Sequence, residues 1–264
     1  MKDLRVIHDD NGSFIDFSDD AKDFLRDDFS LGFTAAEDSL YIGLYKPFSD
    51  FYFELNSGTG KTLTYTINGN NLTVNDSTKD FSRSGFVQFN KPKSWVAETI
   101  DGVEAFWIKI TANLDFTDIV TGLNIVYADD IDLKTEIRNI DILLAKGDTS
   151  FIAYHQGVRE EIIQTLRNGG HLKMKDDQIA ELTKWDLLDI GEIRNAAKYL
   201  CLAKIFFDVS KNNDDKYYSR FRDFQGMYGN AFDTFILKID TKDDGEYDQT
   251  EDLEFTSAIE IQLG

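Results

Sequence analysis

The hydrophobic period of this chain changes once, near its midpoint, and that change constrains the fold more than any motif does. In the first half the apolar residues fall in short runs: SLYIGLY, FYFELN, TLTYTING, NLTVND, GFVQFN, AFWIKITA and LNIVYAD. They are rich in Tyr, Phe, Val, Ile and Thr, and Gly, Asn, Asp and Ser clusters separate them. Side chains alternate faces along a strand, so this pattern predicts an antiparallel β-sandwich. TINGNNLTV sets Asn-Gly-Asn-Asn between two alternating runs, a hairpin signal. Phe106, Ile108 and Ile110 alternate, which predicts one buried face for their strand. Gly85, just ahead of an aromatic strand, suits a bend at a sheet edge. SDDAKDFLRDDF reads as a helix or an irregular arm.

From Phe151 the spacing becomes three and four. Tyr154, Val158, Ile162 and Leu166 form a helical stripe that ends at Asn168-Gly169-Gly170. Asp189 and Glu192 fit a capping box opening a second helix, striped by Ile193, Ala196, Leu200, Ala203 and Phe207. SKNNDD breaks the chain. A third helix carries Tyr217, Phe221, Phe224, Tyr228, Ala231, Phe235 and Ile239 on one stripe, weakened locally by Gly226 and Gly229. Near the end, Leu253, Phe255, Ile259, Ile261 and Leu263 return to the strand period. The expected class is therefore α+β in two domains: an antiparallel β-sandwich over 1–133, a linker over 134–147, and a helical domain over 148–264 that closes on a short strand.

Composition excludes several function classes. The chain has 264 residues, 42% of them hydrophobic and 29% charged, as in a globular protein with proper cores. No apolar run is long enough to predict a membrane span, and MKDLRVIHDDNG lacks the apolar stretch of a signal peptide. The net charge is −20, with 25 acidic against 14 basic side chains up to residue 147 and 23 against 14 after it. Nucleic-acid binding by phosphate neutralisation needs clustered Lys and Arg, so it is not expected. One cysteine, Cys201, leaves no intrachain disulfide and no cysteine zinc cluster. Its apolar helical setting, AAKYLCLAKIFF, reads as a buried thiol. His8, His155 and His171 share no metal-like spacing.

Four features invite chemistry. GTGKTLT, Gly58 to Thr64, suggests a phosphate loop, but Leu55 stands where the first glycine belongs and no helix follows. IDTKDDGEYDQTED is close to a calcium loop. With Asp240 at position 1, Asp244, Asp248 and Glu251 supply carboxylates, Glu246 a carbonyl, and Gly245 the sharp turn. Lys242 at position 3 and a strand in place of the second helix depart from that pattern. Calcium held by Asp240, Asp244, Glu246, Asp248 and Glu251, and an ion-free Asp/Gly turn, both remain open. Trp95, Trp107, Tyr41, Tyr45 and Tyr52 could stack on sugars or simply fill a core. RNGGHLKMKDD holds His171 with no base or nucleophile beside it. No catalytic constellation emerges, so no enzyme is expected.

The segment DLLDIGEIRNAAKYLCLAKIFFDVSKNNDDKYYSRFRDFQGMYGNAFDTFILKIDTKDDGEYD runs from an alanine-containing helix through a polar break to a long aromatic helix and an acidic Asp/Gly turn. That order, over about residues 148–264, resembles the head–tail connector (adaptor) proteins of tailed bacteriophages. EDSLYIGLYKPFSDFYFEL, DFSRSGFVQFNKPKSW and DGVEAFWIKITANLDF resemble a β-sandwich of phage virion proteins. The resemblance implies a structural protein of the virion neck, made in the host cytoplasm, that forms a ring of about a dozen copies. Its partners would be the portal protein above and a neck or tail protein below. The helices would build the ring and the sandwich would decorate its outside. An acidic lumen would pass DNA without binding it, and no membrane would be involved. LEFTSAIEIQLG would add as a strand to a neighbour. The alternative is a carbohydrate-binding component of the tail or baseplate, resting on Trp95 and Trp107.

Overall fold

The computed structural model of the chain describes residues 4–22, 29–34, 37–58, 60–170, 173–175, 178–187, 190–211, 216–234, 237–240 and 252–253. It is α+β, with antiparallel sheets and five helices among these residues. Two compact units divide it, Met1–Ile125 and Val126–Gly264.

The first unit runs β1 (Arg5–Asp10), β2 (Ser13–Asp16), α1 (Ser18–Lys22), β3 (Phe29–Phe33), β4 (Ser39–Leu44), β5 (Asp50–Ser57), β6 (Leu63–Ile67) and β7 (Asn70–Asn71). It continues with β8 (Val74–Asp76), β9 (Gly85–Phe89), β10 (Glu98–Ile100), β11 (Val103–Ala112) and β12 (Phe116–Asn124). One sheet has the order β2-β1-β4-β11-β6-β7, with β10 also on β11, and the other has β3-β12-β5-β9-β8. Asn11-Gly12, Asn68-Gly69 and Asp101-Gly102 turn the hairpins β1–β2, β6–β7 and β10–β11. All six residues have positive φ, the turn whose twist matches that of the flanking strands.

Alternation buries Val6, Ile42, Ile108 and Ile110 from the first sheet and Leu31, Phe51, Phe53, Val87 and Val120 from the second. The two sheets meet where the His8 ring lies 5.4 Å from Phe33 and where the Tyr65 hydroxyl donates to Asp76 at 3.3 Å. Burial first, and then the charge and hydrogen bond of Asp76, push the Tyr65 hydroxyl well above its usual value.

Two expectations change here. β11 was expected to bury one face, yet Trp107 on its other face is buried with Ile7 and Ala105 while Phe106 is only half-buried. The Trp107 indole donates to the Glu98 carbonyl at 2.9 Å and lies across Gly43, its partner on β4. A Cβ at Gly43 would sit 2.4 Å from that ring, so only glycine leaves room for it. Gly85 does not mark a sheet edge, because β9 lies between β5 and β8. Its missing side chain instead admits the Ser77 backbone, which a Cβ would meet at 2.8 Å.

The second unit contains α2 (Asp130–Glu136), a 3-10 turn (Ile140–Leu143), α3 (Ile152–Asn168), β13 (Lys173–Lys175) and β14 (Gln178–Ala180). A second 3-10 turn (Lys184–Asp186), α4 (Ile190–Val209), α5 (Lys216–Thr234), β15 (Leu237–Lys238) and β16 (Asp252–Leu253) follow. Tyr199 stacks near Phe224 and Phe206 near Tyr217, so α4 and α5 run antiparallel. α3 crosses α4 and buries Val158, Ile162, Ile163 and Leu166. Residues 134–147, read from sequence as a linker, hold the end of α2 and the first 3-10 turn. The third helix was expected to reach Ile239 but ends at Thr234, and Ile239 is buried in a bridge to Leu187. Among the described residues no helix is long and apolar enough to cross a membrane.

Candidate functional site

The N-terminus of α2 is the polar centre of the second unit. Asp129 caps the helix, accepting from the Asp132 N–H at 2.9 Å, while the Asp132 carboxylate accepts from the Asp129 N–H at 3.0 Å. Burial and the neighbouring Asp132 charge raise the Asp129 carboxyl above its ordinary value. Asp130 accepts the Phe151 N–H at the start of α3 and lies 2.9 Å from His155 Nε2. The opposite ring nitrogen, Nδ1, is 3.6 Å from Cys201 Sγ on α4. Asp132 takes Arg194 at 2.9 Å, and one turn on Glu136 takes Lys198 at 2.6 Å, so α2 and α4 are linked twice at matching spacing.

Cys201, His155 and Asp130 thus stand in the order of a thiol–imidazole–carboxylate relay. Burial opposes protonation of His155, but Cys201 and Asp130 outweigh it and hold the ring well above its ordinary value. The chemistry stops there. Cys201 is fully buried in the middle of α4, where the backbone N–H groups belong to the helix ladder. A nucleophile needs a reachable face and free donors for the developing oxyanion. The relay is a helix-to-helix link, and it was missed in the sequence because its members lie 25 and 46 residues apart.

The sequence-derived candidates fare differently. Asp240 is buried, and its N–H donates to the Asp186 carbonyl at 2.8 Å. Asp244, Glu246, Asp248 and Glu251 lie outside the described residues, as do His171 and the Asp189 half of the expected capping box. Among the described residues no group of three or more His, Cys, Asp or Glu side chains could hold a metal. Gly58 packs against the backbone of Phe81 and Ser82, where a Cβ would come within 2.3 Å, so its role there is close approach between loops. Trp95, Trp107 and Tyr52 are buried, and Tyr41 meets the Trp107 ring edge-on at 6.3 Å. These residues fill a core, and the two tryptophans offer no open face to a sugar.

What the second unit does present is unburied aromatic surface. Phe207 was expected on the buried stripe of α4, but Phe206 takes that place between Tyr217 and Phe224. Phe207 is 54% exposed and leans on Phe221 at 5.1 Å, which in turn meets Tyr218 at 5.3 Å. Of the six aromatic residues on α5 only Phe224 and Phe232 are buried. Tyr217, Tyr218, Phe221 and Tyr228 are half-exposed, and Met227 is 45% exposed. Beside this cluster lies a groove of about 400 Å³ between the first 3-10 turn and the start of α5. No family model, no curated protein and no solved structure matches the chain.

Proposed function

We propose that the chain is a structural protein that assembles with copies of itself through its helical unit, serving as the head–tail connector of a tailed-phage virion. One observation carries the assembly part. A helix whose aromatic stripe is only one-third buried in its own chain, next to an exposed Phe207, is unfinished until a second surface covers it. The connector part rests on the order of features in residues 148–264: a long helix, the α4–α5 hairpin, and the acidic sequence IDTKDDGEYDQTE ahead of β16.

In this reading the helical unit forms a closed ring of about a dozen copies between portal and tail, its head-to-tail contacts set at a rotation that closes. The two-sheet unit is a β-sandwich decorating the outside. The net charge of −20 keeps the channel from holding DNA by its phosphates. No catalysis is required of it.

Electron microscopy of the purified chain tests the proposal. Closed rings are expected, and Phe207→Ser with Phe221→Ser should leave single copies with unchanged circular dichroism. A parent chain that stays monomeric at every concentration would overturn it.

A further inference from the structure

At one end of the first unit the two sheets border a cavity of about 420 Å³ whose lining includes Asp10, Phe33, Thr34, Asp38, Asp115 and Phe116. Strand register brings these residues together. β1 and β4 pair as far as Asp9 and Ser39, so Asp10 and Asp38 are the next facing positions. β3 and β12 pair Phe33 with Phe116, which sets Thr34 opposite Asp115 one step on. The Phe33 and Phe116 rings stack with centroids 5.0 Å apart.

An acidic lining alone is ordinary solvated surface; Asp38 sets this one apart. It is only 4% exposed, and its Oδ2 accepts the Thr34 N–H at 2.6 Å. Its Oδ1 is buried with no hydrogen-bond partner. His8 Nε2 stands 3.8 Å from Asp38 Oδ2, beyond hydrogen-bond reach, and is itself buried without a partner. Burial holds the His8 ring below its ordinary value against the pull of Asp38, Asp10 and Asp9, so at neutral pH it brings Asp38 no charge. A buried acceptor left without a donor is costly, and a ligand that supplies the donor recovers that cost.

The lining also says which donor. Among the described residues no group of three His, Cys, Asp or Glu side chains could hold a metal ion, so these carboxylates are spread apart rather than convergent. No Lys or Arg is among the described lining residues. Spread carboxylates suit a planar fork of five N–H donors, and neighbouring aromatic rings suit its flat face and stem. We propose that this cavity binds a guanidinium group on a short apolar stem, with Asp38 Oδ1 accepting one N–H and Asp10 or Asp115 a second. The site lies within the first unit and is independent of assembly through the helical one.

Isothermal titration of the full-length chain tests it with butylguanidinium, acetyl-Gly-Arg-Gly-amide and tetramethylammonium. The first two carry the same head, free or on a peptide; the third carries the charge without any N–H. Saturable binding of a guanidinium at one site per chain is expected, with none of tetramethylammonium. Tighter binding of the peptide would mark an arginine of a partner protein as the source, and tighter binding of the free compound a small molecule. Asp38→Asn should weaken binding at least about tenfold. Asp10→Asn, at an exposed position, should weaken it severalfold with circular dichroism unchanged, and it decides alone should Asp38→Asn fail to fold. Asp148→Asn, in the second unit, removes the same charge and should change nothing. Absence of guanidinium binding, equal binding of tetramethylammonium, or binding that survives both pocket variants would overturn the proposal.

Discussion

His155 joins three helices through two ring nitrogens, Asp130 of α2 on one side and Cys201 of α4 on the other. Replacing it with Leu strands a carboxylate at the helix junction and should cost about 3 kcal/mol near pH 6, read from the urea midpoint. Its pH dependence has a definite sign. The folded-state value is raised above 6.5, so the added stability is complete below 6.5 and is lost as pH rises through the folded value. The gap between parent and His155→Leu should therefore narrow on going from pH 6 into the alkaline range. A gap that widens as pH rises through 6.5 would show that the folded ring is neutral, and a gap independent of pH that folding does not shift it. Gly43 is a second single-residue test. Gly43→Ala drives a methyl into the Trp107 ring and should cost about 1–3 kcal/mol, while the same change at Gly157, with open space around it, should not. Burial of Cys201 was legible in its apolar helical run. The His155 pairing was not, because no local period specifies which residues a helix crossing brings together.

At the scale of elements, the doubled link between α2 and α4 explains why residues after Val126 belong with the helices. Arg194→Met with Lys198→Met should cost about 1–2 kcal/mol, since Asp132 and Glu136 keep partial access to water. Hydrogen exchange should quicken in α2 and leave the sheets of the first unit unchanged; equal quickening in both would contradict a local link. The strand and helix periods were legible in the sequence, as were the Asn-Gly hairpin and the Gly-Gly stop after α3. The stripe on α4 was misread at Phe207 because a helix buried on several sides has no single apolar face. Phe206, one residue back, is the one that meets α5. The end of α5 was placed too far along because Ile239 keeps the helical spacing by coincidence, while its backbone bridges to Leu187. The short hairpin β13–β14, Lys-Met-Lys against Gln-Ile-Ala, is too short and too poor in β-branched and aromatic residues to give a strand signal.

For the whole molecule, charge and aromatic surface pull in opposite directions. Copies carrying −20 each repel one another, so the self-assembly proposed above would have to be carried by desolvated aromatic and aliphatic contact. Phe207, Phe221 and Met227 would supply that contact. The candidate site was only half legible in the sequence: the aromatic stripe was visible, but which of its members stay exposed depends on how α4 and α5 pair. The central claim is a place as much as a shape, and gold-labelled antibody against this chain on intact and disrupted virions tests it most directly. Label confined to the neck, between capsid and tail, is the expected result. Label at the tail tip or fibres, or none on virions at all, would contradict it.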